Sequence, residues 1–125
     1  MLLKSLESIC IWSESYKELA KWYQEMFELE VDTNLELPDD TGIGFMLEGV
    51  YLWIGYHDKV VGKSKDRYRI MPGFKVDSVT EIYNKLSEKG VEFIRKPSLS
   101  PTHDYYAATA VDPDENIIQF FSDKE

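Results

Sequence analysis

One order of short elements runs through this chain twice, and that repetition limits its folds more than anything else in the sequence. Alternating apolar and polar residues mark strands, and apolar residues three and four apart mark helices. Leu6 to Trp12 reads as a strand, with Ile9 and Ile11 on one face and Ser8, Cys10 and Trp12 on the other. Ser15 and Glu18 have capping-box spacing, which satisfies orphan backbone donors at a helix start. Leu19, Trp22, Tyr23 and Met26 then follow at helical spacing. Strands are predicted at Leu29 to Leu37, Ile43 to Leu47 and Val50 to Tyr56, with turns at Pro38 to Gly42 and Glu48-Gly49. After a polar, lysine-rich stretch the pattern restarts with a strand at Ile70 to Val76. Ser78 and Glu81 form a second capping box, 63 residues beyond the first. Val79, Ile82, Tyr83 and Leu86 line a second helix, closed by Gly90. Strands at Val91 to Arg95, Tyr105 to Val111 and Ile117 to Ser122 follow, separated by a loop from Pro97 to Asp104 and a turn from Asp112 to Asn116.

The reading is therefore an α+β protein of two βαβββ modules, residues 1–57 and 69–125, joined by a linker at 58–68 within a single domain spanning 1–125. Each half alone would leave one sheet face bare. Two halves together are expected to form a curved mixed sheet with the helices on its outer face. The concave face is then left open for a ligand. A chain of 125 residues is long enough to bury a core. No stretch approaches 18 consecutive apolar residues, and the apolar run at Met1 to Leu3 is too short for a signal peptide. The single cysteine, Cys10, allows no internal disulfide, which points to the cytoplasm. A net charge of −9 repels nucleic acid and anionic lipid. It would attract a cation or merely keep the protein soluble.

Three stretches resemble the glyoxalase/bleomycin-resistance/dioxygenase (vicinal oxygen chelate) superfamily. Trp22 to Val31 resembles its FYxxxLGxxV segment, Gly90-Val91-Glu92-Phe93 its second-half Gly-Val-x-Phe, and Asp112 to Phe120 its terminal DPDGNxxEL. Glu28 and Glu115 stand where the family has glycine, so Asn116 is expected to take the left-handed turn. The resemblance implies a divalent metal on the concave face, held by His on the first strand and Glu or Gln on the last strand of each half. Carried over, those positions fall on Ser8, Met71, Trp53 and Gln119. Only Gln119 offers a donor that suits such a metal, and His57 and His103 lie off the ligand strands. No metal or other cofactor is therefore expected, and Lewis-acid chemistry would lack its centre. The resemblance then points to the metal-free binding members, bleomycin-resistance proteins among them, which sequester a cationic aromatic drug as small acidic homodimers.

Strand parity turns Leu52, Ile54, Ile118 and Phe120 toward the helices. It turns Tyr51, Trp53, Gly55, Ile117, Gln119 and Phe121 inward, along with Ser8, Cys10, Trp12, Met71, Gly73 and Lys75. The candidate ligand-binding residues are Trp12, Tyr51, Trp53, Met71, Lys75, Gln119, Phe121 and His103. Trp12 and Trp53 would stack a planar group or plug the cavity. Gln119 would orient a ligand or bond a neighbouring strand. Lys75 and Arg95 would meet an anion or surface acids. His103 would act as an acid or base from a closing loop or sit as an ordinary surface histidine. Trp22 reads as core. The function expected is metal-free binding of a small molecule. The alternatives are a metal-dependent lyase or dioxygenase with atypical ligands, and a protein-interaction module whose cavity is filled by its own aromatics.

Overall fold

A computed structural model describes all 125 residues, Met1–Glu125. The order is β1 (Ser8–Trp12), α1 (Tyr16–Phe27), β2 (Thr33–Leu37), β3 (Asp40–Leu47), β4 (Val50–Gly55), then β5 (Gly73–Lys75), α2 (Val79–Glu88), β6 (Phe93–Leu99), β7 (Tyr106–Val111) and β8 (Ile117–Ser122). The fold is α+β, two βαβββ modules with one four-stranded mixed sheet each. The chain divides into compact units at Met1–Gly62 and Lys63–Glu125.

In the first unit the strand order is β1-β4-β3-β2. β1 runs parallel to β4, with Cys10 opposite Trp53, and the other pairs are antiparallel. Helix α1 lays Leu19, Ala20 and Tyr23 on the sheet face that carries Ile11, Phe45, Leu52 and Ile54, all of them buried. Each Leu, Ile or Phe among them contributes about 1.5–3 kcal/mol when fully buried. Trp22 packs edge-on against Tyr23 and Phe27, with ring centroids 5.0 and 5.6 Å away. The second unit repeats the plan as β5-β8-β7-β6. Val79 and Leu86 of α2 are buried, as are Ala108, Ala110, Ile118 and Phe120 of its sheet.

Several boundaries differ from the sequence reading, each for a physical reason. The capping box at α1 does not form: Ser15 makes no side-chain cap, and the buried Ser13 hydroxyl instead accepts from the Ser15 amide at 3.0 Å. At α2 the N-cap half of the box forms, with Ser78 Oγ accepting from the Glu81 amide at 3.1 Å. Strand β2 starts at Thr33, because Glu28 turns left-handed (φ 54°) and Leu29 folds back to bond the Gln24 carbonyl. The β2–β3 turn is only Pro38-Asp39, which puts Gly42 inside a strand. Strand β5 is three residues long, and Met71 precedes it across Pro72, which has no amide to donate. Strand β6 runs through Pro97 as an edge strand with register shifts, a position where proline is tolerated. Glu115 itself adopts φ 64°, leaving Asn116 to bond Asp112 through both its amide and side chain at 2.9 Å.

Candidate functional site

An open cavity of about 430 Å³ lies on the sheet face of the first unit away from α1. Ser8, Cys10 and Trp12 of β1 line it with Tyr51 and Trp53 of β4, Thr33 and Leu35 of β2, and Asp40 of β3. Strand parity brings these residues to one face, and bare backbone lets the rings lie down on it. A Cβ at Gly44 would fall 2.0 Å from the Tyr51 hydroxyl oxygen. One at Gly42 would fall 2.6 Å from the Trp53 ring. One at Gly55 would meet Trp53 Nε1 at 2.5 Å and the Trp12 ring at 2.8 Å. Tyr51 and Trp53 pair across the ladder with Met46 and Gly44, so each ring leans one row along the strands to cover the next glycine. The rings sit 6.5 Å apart at 40°. They are held with one face on the sheet, which pre-orders them for stacking.

Polar groups complete the wall. The Tyr51 hydroxyl donates to Thr33 Oγ1 at 2.5 Å, and Thr33 donates to Asp32 Oδ2 at 3.0 Å. Asp40 lines the same space and has no ion-pair partner. His57 stands edge-on to Trp12 at 5.4 Å, and its Nδ1 accepts from the Lys59 amide at 3.1 Å.

Trp12, Tyr51 and Trp53 are thus brought together as expected from parity, with Ser8 and Cys10 beside them. The other candidates lie in the second unit, where register puts Lys75, Gln119 and Phe121 on one sheet face. Phe121 covers Gly73, where a Cβ would sit 2.7 Å from its ring, and it meets Tyr105 edge-on at 5.8 Å. Gln119 lies in register between Gly73 and Thr109, and Lys75 is exposed opposite Phe121. Met71 is off the ladder. The expected Pro97–Asp104 loop is in fact a short hairpin tip, where His103 is exposed with φ 65° and its amide bonds the Ser100 carbonyl. In that tip Asp104 accepts from Thr102 and Ser100, and the Thr102 bond in particular holds its carboxyl below the usual range.

Sequence reasoning missed Thr33, Leu35 and Asp40, and it placed Gly42 in a turn. The alternation Gly42-x-Gly44 opposite two large aromatics was the signal that could have found the cavity floor.

Residues 5–120 match the family model of the Glyoxalase/Bleomycin resistance protein/Dioxygenase superfamily. The chain belongs to that superfamily. Similar solved structures agree on the fold. A glyoxalase family protein from Enterococcus faecalis superposes with a TM-score of 0.77 at 20% identity, covering 98% of this chain and 100% of that one. A superfamily member from Sphaerobacter thermophilus gives 0.74 at 20% identity, covering all of both chains. A lactoylglutathione lyase from Agrobacterium tumefaciens gives 0.72 at 14% identity, covering 96% and 94%. No curated protein matches the chain significantly.

The superfamily's divalent metal does not fit the residues present here. No three His, Cys, Asp or Glu side chains come together as a metal-holding group. The four carried-over positions offer a hydroxyl, a thioether, an indole and an amide. No helix is long and apolar enough to cross a membrane.

Proposed function

We propose that this superfamily member binds a small planar organic molecule, without a metal, in the aromatic cavity of its first module. The observation that carries this reading is the glycine floor. Three bare positions on the strands hold Tyr51, Trp53 and Trp12 flat. The cavity volume falls within the range of about 300–1,000 Å³ usual for small-molecule sites. Sequestration of a drug-like or metabolite ligand is the role this supports, and the unpaired Asp40 and net charge of −9 favour a cationic one. A second copy of the chain and a cytoplasmic setting belong to the same reading.

Tryptophan fluorescence tests it. Titration with 2-naphthamidine, a planar cation, is expected to give saturable quenching that a chelator leaves unchanged. Trp53→Leu and Trp12→Leu should each weaken binding by roughly 2- to 30-fold, the equivalent of about 0.5–2 kcal/mol for an aromatic–cation contact. Quenching that appears only on adding a divalent ion would refute the reading.

A further inference from the structure

Tyr51 enters the cavity with its proton already committed. Its hydroxyl donates to Thr33 Oγ1, and the Thr33 hydroxyl donates to the Asp32 carboxylate. An ionised carboxylate accepts and never donates, so this chain of bonds runs in one direction only. A hydroxyl carries one proton and two lone pairs. Tyr51 therefore presents only lone pairs to anything bound beside it.

The arrangement is anchored at both ends. The Asp32 amide bonds the Gly44 carbonyl at 2.8 Å, and Gly44 is the bare residue on which the Tyr51 hydroxyl rests. The Trp53 indole donor lies over Gly55, with the Trp12 ring beside it, and the Ser8 hydroxyl is the other cavity group next to Tyr51. Asp40 lies at the other end of the wall, two residues beyond Gly42 on β3.

We infer that the Tyr51–Thr33–Asp32 chain makes this end of the cavity selective for hydrogen-bond donors. The favoured ligand is a planar molecule ending in N–H groups, such as an amidine or a protonated amino-heterocycle. A molecule of the same shape ending in a carbonyl would oppose lone pair to lone pair, unless Tyr51 gave up its bond to Thr33. Asp32, Thr33 and Tyr51 are then specificity residues, of which only Tyr51 and Thr33 line the cavity. This rests on the binding reading above and adds the polarity of the ligand.

Three naphthalene probes separate polarity from charge. 2-Naphthamidine is a cation with N–H donors, the trimethyl(2-naphthyl)ammonium ion is a cation with none, and 2-acetylnaphthalene is a neutral acceptor. Fluorescence titration of the full chain should rank the amidine about tenfold or more above both others, as expected for a charge-assisted hydrogen bond. Thr33→Val removes the acceptor for Tyr51, and Asp32→Asn replaces the carboxylate with a group that can donate. Each should free the Tyr51 hydroxyl to turn, strengthen 2-acetylnaphthalene and bring its ratio to the amidine within about threefold. The two variants differ in what they do to packing, so agreement between them excludes a folding defect. Equal binding of the three probes by the native chain, or an unchanged ratio in both variants, overturns the donor selectivity while leaving the binding reading intact. If no probe quenches, the binding reading fails and this inference with it.

Discussion

Replacing Gly44 with alanine tests whether the bare backbone is what places the Tyr51 ring. The new Cβ would sit 2.0 Å from the hydroxyl oxygen and 2.4 Å from Cε2, whereas ordinary contact begins near 3.4 Å. The ring edge must therefore retreat by about 1.4 Å, and the 2.5 Å bond to Thr33 cannot survive that movement. Losing that bond costs about 0.5–1.5 kcal/mol. Crowding a packed site costs about 1–3 kcal/mol. Against this, alanine is favoured over glycine within a strand by about 0.5–1 kcal/mol. The net expectation is a destabilisation of about 0.5–4 kcal/mol, centred on about 2 kcal/mol, in urea unfolding, with weaker binding of 2-naphthamidine. The decisive measurement is a double-mutant cycle with Tyr51→Ala. Once the ring is gone, Gly44→Ala should become neutral or stabilising, a reversal of sign. If the substitution costs the same with and without the Tyr51 ring, the glycine does not serve the aromatic, and the account of the cavity floor is refuted.

Other expectations are simpler to check. Gly49 has φ 79° with nothing within 4 Å of a Cβ, so Gly49→Ala should cost about 1 kcal/mol from backbone strain and leave ligand affinity unchanged. Cys10 is an exposed free thiol on the cavity wall. Its modification by a thiol reagent, followed by mass spectrometry, should slow when 2-naphthamidine is bound. The buried Asp112 carboxylate accepts from the amides of Asp114 and Asn116 and from the Asn116 side chain. Asp112→Ala should thus lower unfolding stability by about 1–3 kcal/mol. The Asp104 carboxyl is lowered below its ordinary 3.8, chiefly by the Thr102 hydroxyl. Its stabilising contribution is present above that ordinary value and is lost as pH falls through the lowered one. Thr102→Val should accordingly differ from the native chain in melting temperature at neutral pH and converge with it in strong acid.

The duplicated architecture was legible because each helix and the central strands carry clear periodicity. Leu52, Ile54, Ile118 and Phe120 are buried as parity required, and Trp12, Tyr51 and Trp53 share one face. What was not legible depended on groups distant in sequence. Capping-box spacing at Ser15 and Glu18 could not reveal that the Ser15 amide would instead be held by the Ser13 hydroxyl, with no side-chain cap on the helix. Pro97 argues for a loop, yet an edge strand needs no amide on its free side, so β6 passes through it. Gly42 next to Asp40-Thr41 reads as turn chemistry. Only the pairing of Gly42 with Gly55 and of Gly44 with Trp53 shows that these residues floor a cavity. Thr33 and Asp40 reach that wall through the register of two further strands, which local patterns do not encode.

The three tryptophans offer the most direct test of binding in the first module. In ¹⁵N-labelled protein held in a chelator, titration with 2-naphthamidine should shift the indole N–H resonances of Trp12 and Trp53. That of Trp22, packed against Tyr23 and Phe27 on α1, should stay still. Stationary Trp12 and Trp53 signals, or shifts that arise only when a divalent ion replaces the chelator, would contradict it.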